Sequence, residues 1–334
     1  MNGQENFAVM LNANARRVTD GVRRKVERIV APENIYYSHS IEESAEIAQR
    51  IAEQDYRTVF TGGGDGTFVK FVNDYADMSR PLTSVTPNIG VLHLGTGNAV
   101  ASIVSSGNFE CDLQSYVDTG HNDVQPLELV QSEGARFPFG GLGLDAEVLN
   151  DYMDIKGGIG ANRLLKPVFQ NLGGYFAAFF GKTMPRRMKN ALARERTEVR
   201  VINLGSEAYS LRGGETVKAY GRGEVLYEGP STTTMFGTLP TYGHGMTVLP
   251  YSMTRPGHFH LRTARMSAMK ALVNLPSIWK GQYVGDDMLD WHAKHVRLEF
   301  SKPVPYQYGG DAQGYRDSVE IKISPVSVNL LRFI

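Results

Sequence analysis

The chain has 334 residues, of which 35 are basic and 35 acidic, so its formal net charge is +0. This length predicts about two domains, and the neutral balance gives no support to general polyanion binding, so no nucleic-acid partner is expected. Cys111 is the only cysteine, which excludes an internal disulfide or a cysteine-based metal cluster and favours a reducing compartment.

No targeting or membrane-spanning pattern is visible in the sequence. Residues 1–17 lack the basic-then-apolar layout of a secretory signal. No stretch reaches the roughly 18 uninterrupted apolar residues of a spanning helix. We therefore expect a cytoplasmic protein that is soluble or lies on a membrane surface.

The first 105 residues alternate between strand-like and helix-like patterns. Strands are predicted over FAVMLN (7–12), NIYYSHS (34–40), RTVFT (57–61) and NIGVLHL (88–94). Helices are predicted over residues 16–30, 41–54 and 68–77, and another opens within GTGNAVASIV (95–104). Repeated β-then-α units with short connections predict an α/β domain, whose parallel sheet carries helices on both faces.

After about residue 120 the pattern changes to short alternating segments separated by Gly- and Pro-bearing turns. These segments are VQPLELVQ, FPFGGLGLDAEVLN, TEVRVINL, TVLPYS, HFHLRTARM, HVRLEF and VEIKISP. They predict a mainly antiparallel, β-sandwich-like second domain. We place the α/β domain at 1–120 and the β-rich domain at 121–334, with a helical, basic and aromatic insertion at about 151–200. The C-terminal tail could return to the first domain.

The stretch TVFTGGGDGTF (58–68) places four glycines and an aspartate directly after a strand. Glycines between a strand and a helix let backbone N–H groups approach a phosphate closely. A P-loop is excluded because no lysine follows until Lys70, and a Rossmann fingerprint fits poorly because the loop follows the third strand. A tight strand-to-helix turn without a ligand is the remaining alternative.

Asp65 decides among these interpretations, because a carboxylate beside a polyphosphate is unfavourable unless a divalent cation lies between them. The side chain could hold Mg²⁺ through water, orient it, or accept a proton from an attacking hydroxyl. The loop therefore predicts magnesium together with a nucleotide.

A second loop, VLHLGTGNAVA (91–101), again runs from a strand through glycines into a helix. Thr96 and Asn98 offer a hydroxyl and an amide there, although Asn98 could simply cap the helix. The carboxyl ends of parallel strands are where open α/β sheets bind ligands. The two loops together therefore predict a nucleotide site.

The motifs GGGDGTF (62–68) and LHLGTGNAVA (92–101) resemble the catalytic domain of the diacylglycerol kinase family, which includes bacterial lipid kinases, sphingosine kinases and ceramide kinases. Three later segments are similar to further motifs of that family: GGLGLDAEV (140–148), YGHGMTVLPYSMTRPGHFHL (242–261) and YQYGGDAQGY (306–315). The resemblance implies a nucleotide-binding α/β domain and a β-rich domain, with the active site in the cleft between them.

The resemblance also implies transfer of the ATP γ-phosphoryl group to a lipid hydroxyl with Mg²⁺. Carried onto matching positions, it implies nucleotide contacts at Asn12, Gly62, Gly63, Gly64, Asp65, Gly66, Thr67, Gly95, Thr96 and Asn98. Ser38 or Ser40 lies near a nucleotide-contacting threonine of the family. Asp65 would hold Mg²⁺ through water, and Asp65 and Asp311 are the candidate catalytic residues.

Three segments depart from the family pattern. NANAR (12–16) lacks the proline and glycine of the early N-P-x-x-G motif, and Pro256 replaces an aspartate that serves a structural metal site in some members. The closing D-G-E turn reads Asp311-Ala312-Gln313. Because an amide is not a base, proton abstraction would fall to Asp311 or Asp65. Without the resemblance, Asp311 is an ordinary turn residue and Asp145 an isolated, water-exposed carboxylate on a glycine-rich strand.

Two stretches of the second domain combine apolar and basic residues. They are residues 162–196 and residues 264–281. Both could place apolar side chains in an anionic membrane surface and basic ones against its head groups, or the aromatic side chains could pack against the β domain. The predicted partner is a lipid substrate at a membrane surface, which implies peripheral association; a homodimer is left open.

The sequence therefore predicts a lipid kinase of phospholipid or related lipid metabolism, with diacylglycerol as first acceptor and ceramide or a sphingoid base as second. One rival is an NAD kinase-like enzyme, which shares the GGDGT loop but carries an N-E pair where this chain has GTGN (95–98). The other rival is a non-catalytic nucleotide- or lipid-binding scaffold, favoured by the altered NANAR and DAQ segments.

Overall fold

The structure is a computed structural model that describes residues 6–76, 87–120, 123–159, 197–243 and 245–333. The chain divides into two compact units. The first unit contains Met1–Leu129, Gly243–Gly245 and Ser324–Ile334. The second unit contains Val130–Tyr242 and Met246–Ile323.

The first unit is an α/β layer structure built on one sheet. Its strands are β1 (Phe7–Asn12), β2 (Ile35–Ser38), β3 (Thr58–Gly63), β4 (Asn88–His93), β5 (Val124–Leu127) and β18 (Val328–Leu331). Its helices are α1 (Asp20–Ile29), α2 (Ile41–Glu53), α3 (Asp65–Ala76), α4 (Ala99–Ile103) and α5 (Phe109–Thr119). The strand order is β2-β1-β3-β4-β18-β5, and β5 alone among these strands pairs antiparallel.

This order creates a topological switch point between β1 and β3. The chain moves outward from β1 to β2, then returns to the other side of β1 to form β3 and β4. At such a point the connections leave the carboxyl edge of the sheet in opposite directions, which opens a crevice where ligands bind in open α/β sheets. The carboxyl ends of β1, β3 and β4 therefore define the edge at which a site is expected.

Local sequence explains the helix boundaries and the core of this unit. Thr19 caps α1 through Val22 N–H, so the helix begins at Asp20 and not at the predicted residue 16. Under the sheet, the rings of Phe7, Phe60 and Tyr116 meet edge to face with centroids 5.0–5.8 Å apart. This geometry adds to the hydrophobic gain of burying the rings.

The second unit is built on a large, mainly antiparallel sheet. Its strands are β6 (Val130–Ser132), β7 (Ala135–Phe137), β8 (Phe139–Gly143), β9 (Glu198–Asn203), β10 (Glu207–Arg212), β11 (Glu215–Gly221), β12 (Val225–Pro230), β13 (Thr233–Gly237), β14 (Phe259–Ala264), β15 (Met288–Ala293), β16 (His295–Tyr308) and β17 (Asp311–Ile323). Among its described residues, the helices are α6 (Leu144–Ile159), α7 (Ala268–Val273) and α8 (Leu275–Trp279). Within the described residues, β8 lies between β13 and β16 in the sheet order. The predicted fold class, an α/β part with a parallel sheet followed by a β-rich part, is confirmed.

A buried ion pair lies in the core of the second unit. Arg262 donates to both carboxylate oxygens of Asp290, at 2.6 and 3.0 Å, and to the Val248 carbonyl. Burial alone would raise the pKa of Asp290, but hydrogen bonding from His260 and the Arg262 charge lower it below its ordinary value. His260 also lies in this network and bonds Asp290 at 2.9 Å.

One predicted strand of the second domain is irregular, and one predicted insertion lies outside the described residues. TVLPYS (247–252) is irregular and not a strand, because its backbone turns at Pro250 and Arg262 takes the Val248 carbonyl that a ladder would use. The basic and aromatic stretch 162–196 lies outside the described residues. Among the residues that are described, no helix is both long and apolar enough to cross a bilayer.

Candidate functional site

The glycine-rich segment after β3 consists almost entirely of strand and helix. β3 runs through Gly63 and α3 begins at Asp65, so Gly64 alone separates the two elements. The prediction of a strand ending at residue 61 and a helix beginning at residue 68 was wrong, because the glycines continue the ladder and the DGT residues form the first turn of α3. The N-terminus of this helix therefore lies directly at the carboxyl edge of the sheet.

Two of the glycines are required by close packing within the unit. A Cβ at Gly62 would lie 2.2 Å from Leu11 Cδ2, and a Cβ at Gly63 would lie 2.2 Å from Thr67 Oγ1. Contacts of 2.2 Å are far below van der Waals distance, so a side chain at either position would displace its neighbour. Both residues are buried strand positions, and their lack of a side chain already has a structural explanation.

The second loop lies against the first. A Cβ at Gly95 would lie 2.4 Å from Gly64 Cα and 2.8 Å from the Gly63 carbonyl oxygen. Both of these contacts are with backbone, which cannot rotate away as a side-chain end can. Glycine at this position therefore allows the two connections to meet.

Replacing Gly95 with alanine is expected to lower the free energy of unfolding of the first unit by about 3 kcal/mol, because the new methyl group must push two backbone segments apart. Urea unfolding measures the change. Gly107→Ala is the matched control, since a Cβ there meets no atom within 4 Å. Equal stability of the two variants would contradict the close approach.

Asn98 holds its own loop closed. Its backbone is left-handed, with φ 54° and ψ 38°, and its side chain makes no capping bond to α4. Instead Oδ1 accepts from Gly95 N–H at 2.8 Å, and Nδ2 donates to the Gly95 carbonyl at 2.7 Å. The amide therefore pairs with both polar groups of one residue, and the alternative of a simple helix cap was wrong.

The cap of α4 is Asp65, which comes from the other loop. Its Oδ2 accepts from Ala99 N–H at 3.1 Å and its Oδ1 from Val100 N–H at 3.0 Å, and the carboxylate is buried. These amides are among those that a helix leaves without partners at its first turn. A negative charge there also interacts favourably with the helix dipole. Asp65 thus ties the start of α3 to the start of α4.

Asn12 extends the same edge to β1. Its Nδ2 donates to Thr67 Oγ1 at 3.1 Å, and its Oδ1 accepts from Asn14 N–H at 2.9 Å. The loop after β1 is closed by a bond from Ala13 N–H to the Ser38 carbonyl at 2.9 Å. The NANAR segment is therefore ordered by side-chain and backbone bonds despite its missing proline and glycine.

The remaining predicted nucleotide residues differ in exposure. Gly64, Gly66 and Thr67 are partly buried at the α3 N-terminus, and Thr96 is exposed between the two glycines of the second loop. Of the two serine candidates, Ser40 caps α2 by accepting from Glu43 N–H at 3.1 Å.

In the second unit, Asp311 follows a two-residue hairpin turn. Gly309 and Gly310 have φ values of 58° and 86°, and Tyr308 pairs with Asp311 across the turn. Positive φ at both central residues is the geometry that glycine allows most easily. The Asp311 side chain is exposed to solvent, yet the surrounding protein desolvates its carboxyl and raises its pKa above the ordinary aspartate value.

The alternative interpretation of Asp145 as a water-exposed carboxylate on a strand was wrong. It lies in the first turn of α6 and is partly buried. Its carboxylate accepts from Thr233 Oγ1 at 2.8 Å and from Gln307 Nε2 at 3.0 Å. Neither partner was singled out in the sequence, although Gln307 is a polar residue between two tyrosines of a strand, which is a usable signal of a buried polar contact.

Residues 6–130 match the family model of the diacylglycerol kinase catalytic domain. The predicted family resemblance is confirmed over this segment. The matched segment holds both glycine-containing connections, Asn12 and Asp65, and covers less than half of the chain. No curated protein matches the sequence.

The fold as a whole is similar to three solved structures from Bacillus anthracis str. Sterne. A diacylglycerol kinase shares 14% identity at a TM-score of 0.62, over 98% of this chain and 97% of that chain. Two further structures, described provisionally as diacylglycerol kinases, share 17% and 16% identity at a TM-score of 0.66, with the same coverage. At these identities the comparisons show a common fold.

Proposed function

We propose that the protein is an ATP- and Mg²⁺-dependent lipid kinase that transfers the γ-phosphoryl group of ATP to a lipid hydroxyl. Diacylglycerol is the first candidate acceptor, and ceramide or a sphingoid base is the second. The observation that carries the proposal is the pair of connections joined by Asp65. They lie beside the topological switch point, within the segment that matches the diacylglycerol kinase catalytic domain.

The phosphate contacts are assigned to the edge where α3 begins. This helix has 12 residues, and the N–H groups and positive dipole end of such a helix favour an anion. Gly64, Gly66, Thr67 and the exposed Thr96 lie at or beside this end. Gly62, Gly63 and Gly95 act indirectly by letting the strands and loops pack closely enough to form the edge.

Magnesium is assigned to the same edge through Asp65. A carboxylate can accept about four hydrogen bonds, so capping two amides is compatible with holding a water ligand of Mg²⁺. The two amide bonds fix the position of the carboxylate at the start of α4. When bound, ATP supplies the phosphoryl group, and Mg²⁺ neutralises part of the phosphate charge.

Asp311 is assigned as the base that accepts the proton of the lipid hydroxyl. Its raised pKa moves the carboxylate toward the working range of a general base. The capping of Ala99 and Val100 gives Asp65 a structural role, which makes Asp311 the better candidate of the two. Gln313 donates to the Asp311 carbonyl at 3.4 Å and has no basic group.

Phosphoryl transfer from labelled ATP tests the proposal. Separate mixed micelles of diacylglycerol, monoacylglycerol, sphingosine and ceramide serve as acceptors, and NAD serves as the soluble control. A labelled lipid supports the proposal and names the acceptor class. Labelled NAD product would instead establish an NAD kinase-like enzyme, and ATP binding without any labelled product would favour a non-catalytic scaffold.

We further propose that α7 and its flanks meet the bilayer that holds the acceptor. Met269 and Val273 are 52% and 73% exposed, and they lie four residues apart on one face of the helix. Val284, further along the chain, is 60% exposed. Lys280 lies between Val273 and Val284 in the sequence and is also exposed. Apolar side chains that enter an interface beside a basic residue fit an anionic membrane surface.

The double variant Met269→Glu/Val273→Glu is expected to bind vesicles containing phosphatidylserine at least about 10-fold more weakly, because two apolar side chains no longer leave water. Vesicle sedimentation measures the change. Val217→Glu is the matched control, since Val217 is 66% exposed on strand β11. Equal vesicle binding by the wild-type protein and both variants would show that α7 does not contact the membrane.

A further inference from the structure

Asp145 is a partly buried acid whose bonded partners are neutral groups. Thr233 and Gln307 donate to separate oxygens of its carboxylate, at 2.8 and 3.0 Å. A Cβ at Gly141 would lie 2.1 Å from Asp145 Oδ2, so the strand that faces the carboxylate is also adapted to it. Keeping a desolvated acid here costs stability, as the raised pKa of Asp145 shows, and this cost requires an explanation.

The acid fixes the orientation of the Gln307 amide. Nε2 of Gln307 donates to Asp145 Oδ2, so the NH₂ end of the amide faces the acid and the carbonyl end points away from it. Gln307 is almost fully buried, at 3% exposure, so water offers no alternative partner. Its carbonyl oxygen accepts from Gly310 N–H at 3.3 Å.

Gly310 belongs to the turn that carries Asp311. The preceding amide, that of Gly309, donates to the Phe139 carbonyl of β8 at 2.9 Å. Two successive amides of the turn are therefore held independently, one by strand backbone and one by the Gln307 side chain. Asp311 is the next residue, so the second bond holds the Gly309–Gly310 peptide, one peptide before the one that ends at the Asp311 amide.

We propose that Asp145 and Gln307 are positioning residues that fix the turn before Asp311, with Asp145 acting by orienting the Gln307 amide. The structural part of this inference stands on unit 2 alone. Its catalytic consequence rests on the proposed function, in which Asp311 accepts the proton of the lipid hydroxyl.

Hydrogen exchange of the turn amides tests the structural part without any need for activity. In ¹⁵N-glycine-labelled protein, Gln307→Met is expected to speed exchange at Gly310 at least about 10-fold and to leave Gly309 unchanged. Asp145→Ala, which removes the group that orients the amide, is expected to do the same. Gln131→Met on β6 is the matched control and is expected to change neither amide.

Kinetics test the catalytic part. Gln307→Met and Asp145→Ala are each expected to lower kcat about 10-fold or more with the KM for ATP unchanged, and to have no further effect once Asp311 is replaced by asparagine. An unchanged Gly310 exchange rate, or equal acceleration at Gly309 and Gly310, would overturn the inference. A kcat loss that persists in the Asp311→Asn background would overturn its catalytic part. Absence of turnover in the wild-type protein would count against the proposed function, and the exchange result would still decide how the turn is held.

Discussion

Asp65→Asn is expected to lower the free energy of unfolding of the first unit by about 3 kcal/mol. The carboxylate accepts from Ala99 and Val100, and an asparagine of the same shape would turn an NH₂ group toward one of these N–H donors. Hydrogen bonds to charged groups contribute about 1.5–3 kcal/mol, and a buried donor left without a partner adds a further cost. The two glycine-containing loops would no longer be joined by the Asp65 carboxylate, so we expect phosphoryl transfer to fall at least about 100-fold.

A loss of stability without any ligand would distinguish a structural role of Asp65 from a role that depends only on a bound metal or nucleotide. Denaturant unfolding is measured in EDTA without nucleotide, where no metal or phosphate contributes. Asp20→Asn is the matched control, because Asp20 is also in the first turn of a helix but is exposed. If Asp65→Asn unfolds like the wild-type protein and only activity is lost, the link between the loops is not what the carboxylate provides.

Asp311→Asn is expected to lower kcat about 1,000-fold while Mg²⁺·ATP binding stays within about twofold. General base catalysis typically contributes 10²–10⁴-fold, and the assigned phosphate contacts all lie in the first unit. Isothermal titration of Mg²⁺·ATP and lipid phosphorylation are measured on the same preparations. Asp317→Asn, an exposed change on the same strand, is the control.

The pH dependence of kcat provides an independent check on Asp311. The base is active when deprotonated, and desolvation raises the pKa of this carboxyl, so kcat is expected to rise with pH through a value above the ordinary aspartate range. Asp311→Asn should remove this acidic limb. A variant that keeps the limb, or loses less than about 10-fold in kcat, would transfer the role of base to another group.

Strands β1 to β4 of the first unit could be predicted because each is a short apolar run bounded by turn residues. The helix start at Asp65 could not, since three consecutive glycines have the local pattern of a loop, and only sheet pairing of Gly62 and Gly63 with β4 extends the strand. The role of Asp65 could not be predicted either, because the amides it caps lie 34 and 35 residues further along the chain. A carboxylate beside glycines predicts metal chemistry locally, whereas its hydrogen bonds depend on the packing of two loops.

In the second unit the same limit applies to Asp145 and Gln307. Their bond spans 162 positions, and neither residue belongs to a local pattern that predicts the other. The turn before Asp311 could be predicted, because two glycines between alternating residues favour a tight hairpin. Local chemistry thus predicts where candidate site residues lie along the chain, and long-range contacts determine which atoms each side chain meets.

The central claim is tested most directly by a single-turnover experiment that assumes no particular acceptor. Protein in excess over γ-labelled ATP and Mg²⁺ is mixed with vesicles of a total lipid extract, and the label is partitioned between organic and aqueous phases. We expect label to enter the organic phase with the wild-type protein and to remain aqueous with Asp311→Asn. If the wild-type protein binds ATP but leaves all the label in the aqueous phase, the protein is not a lipid kinase.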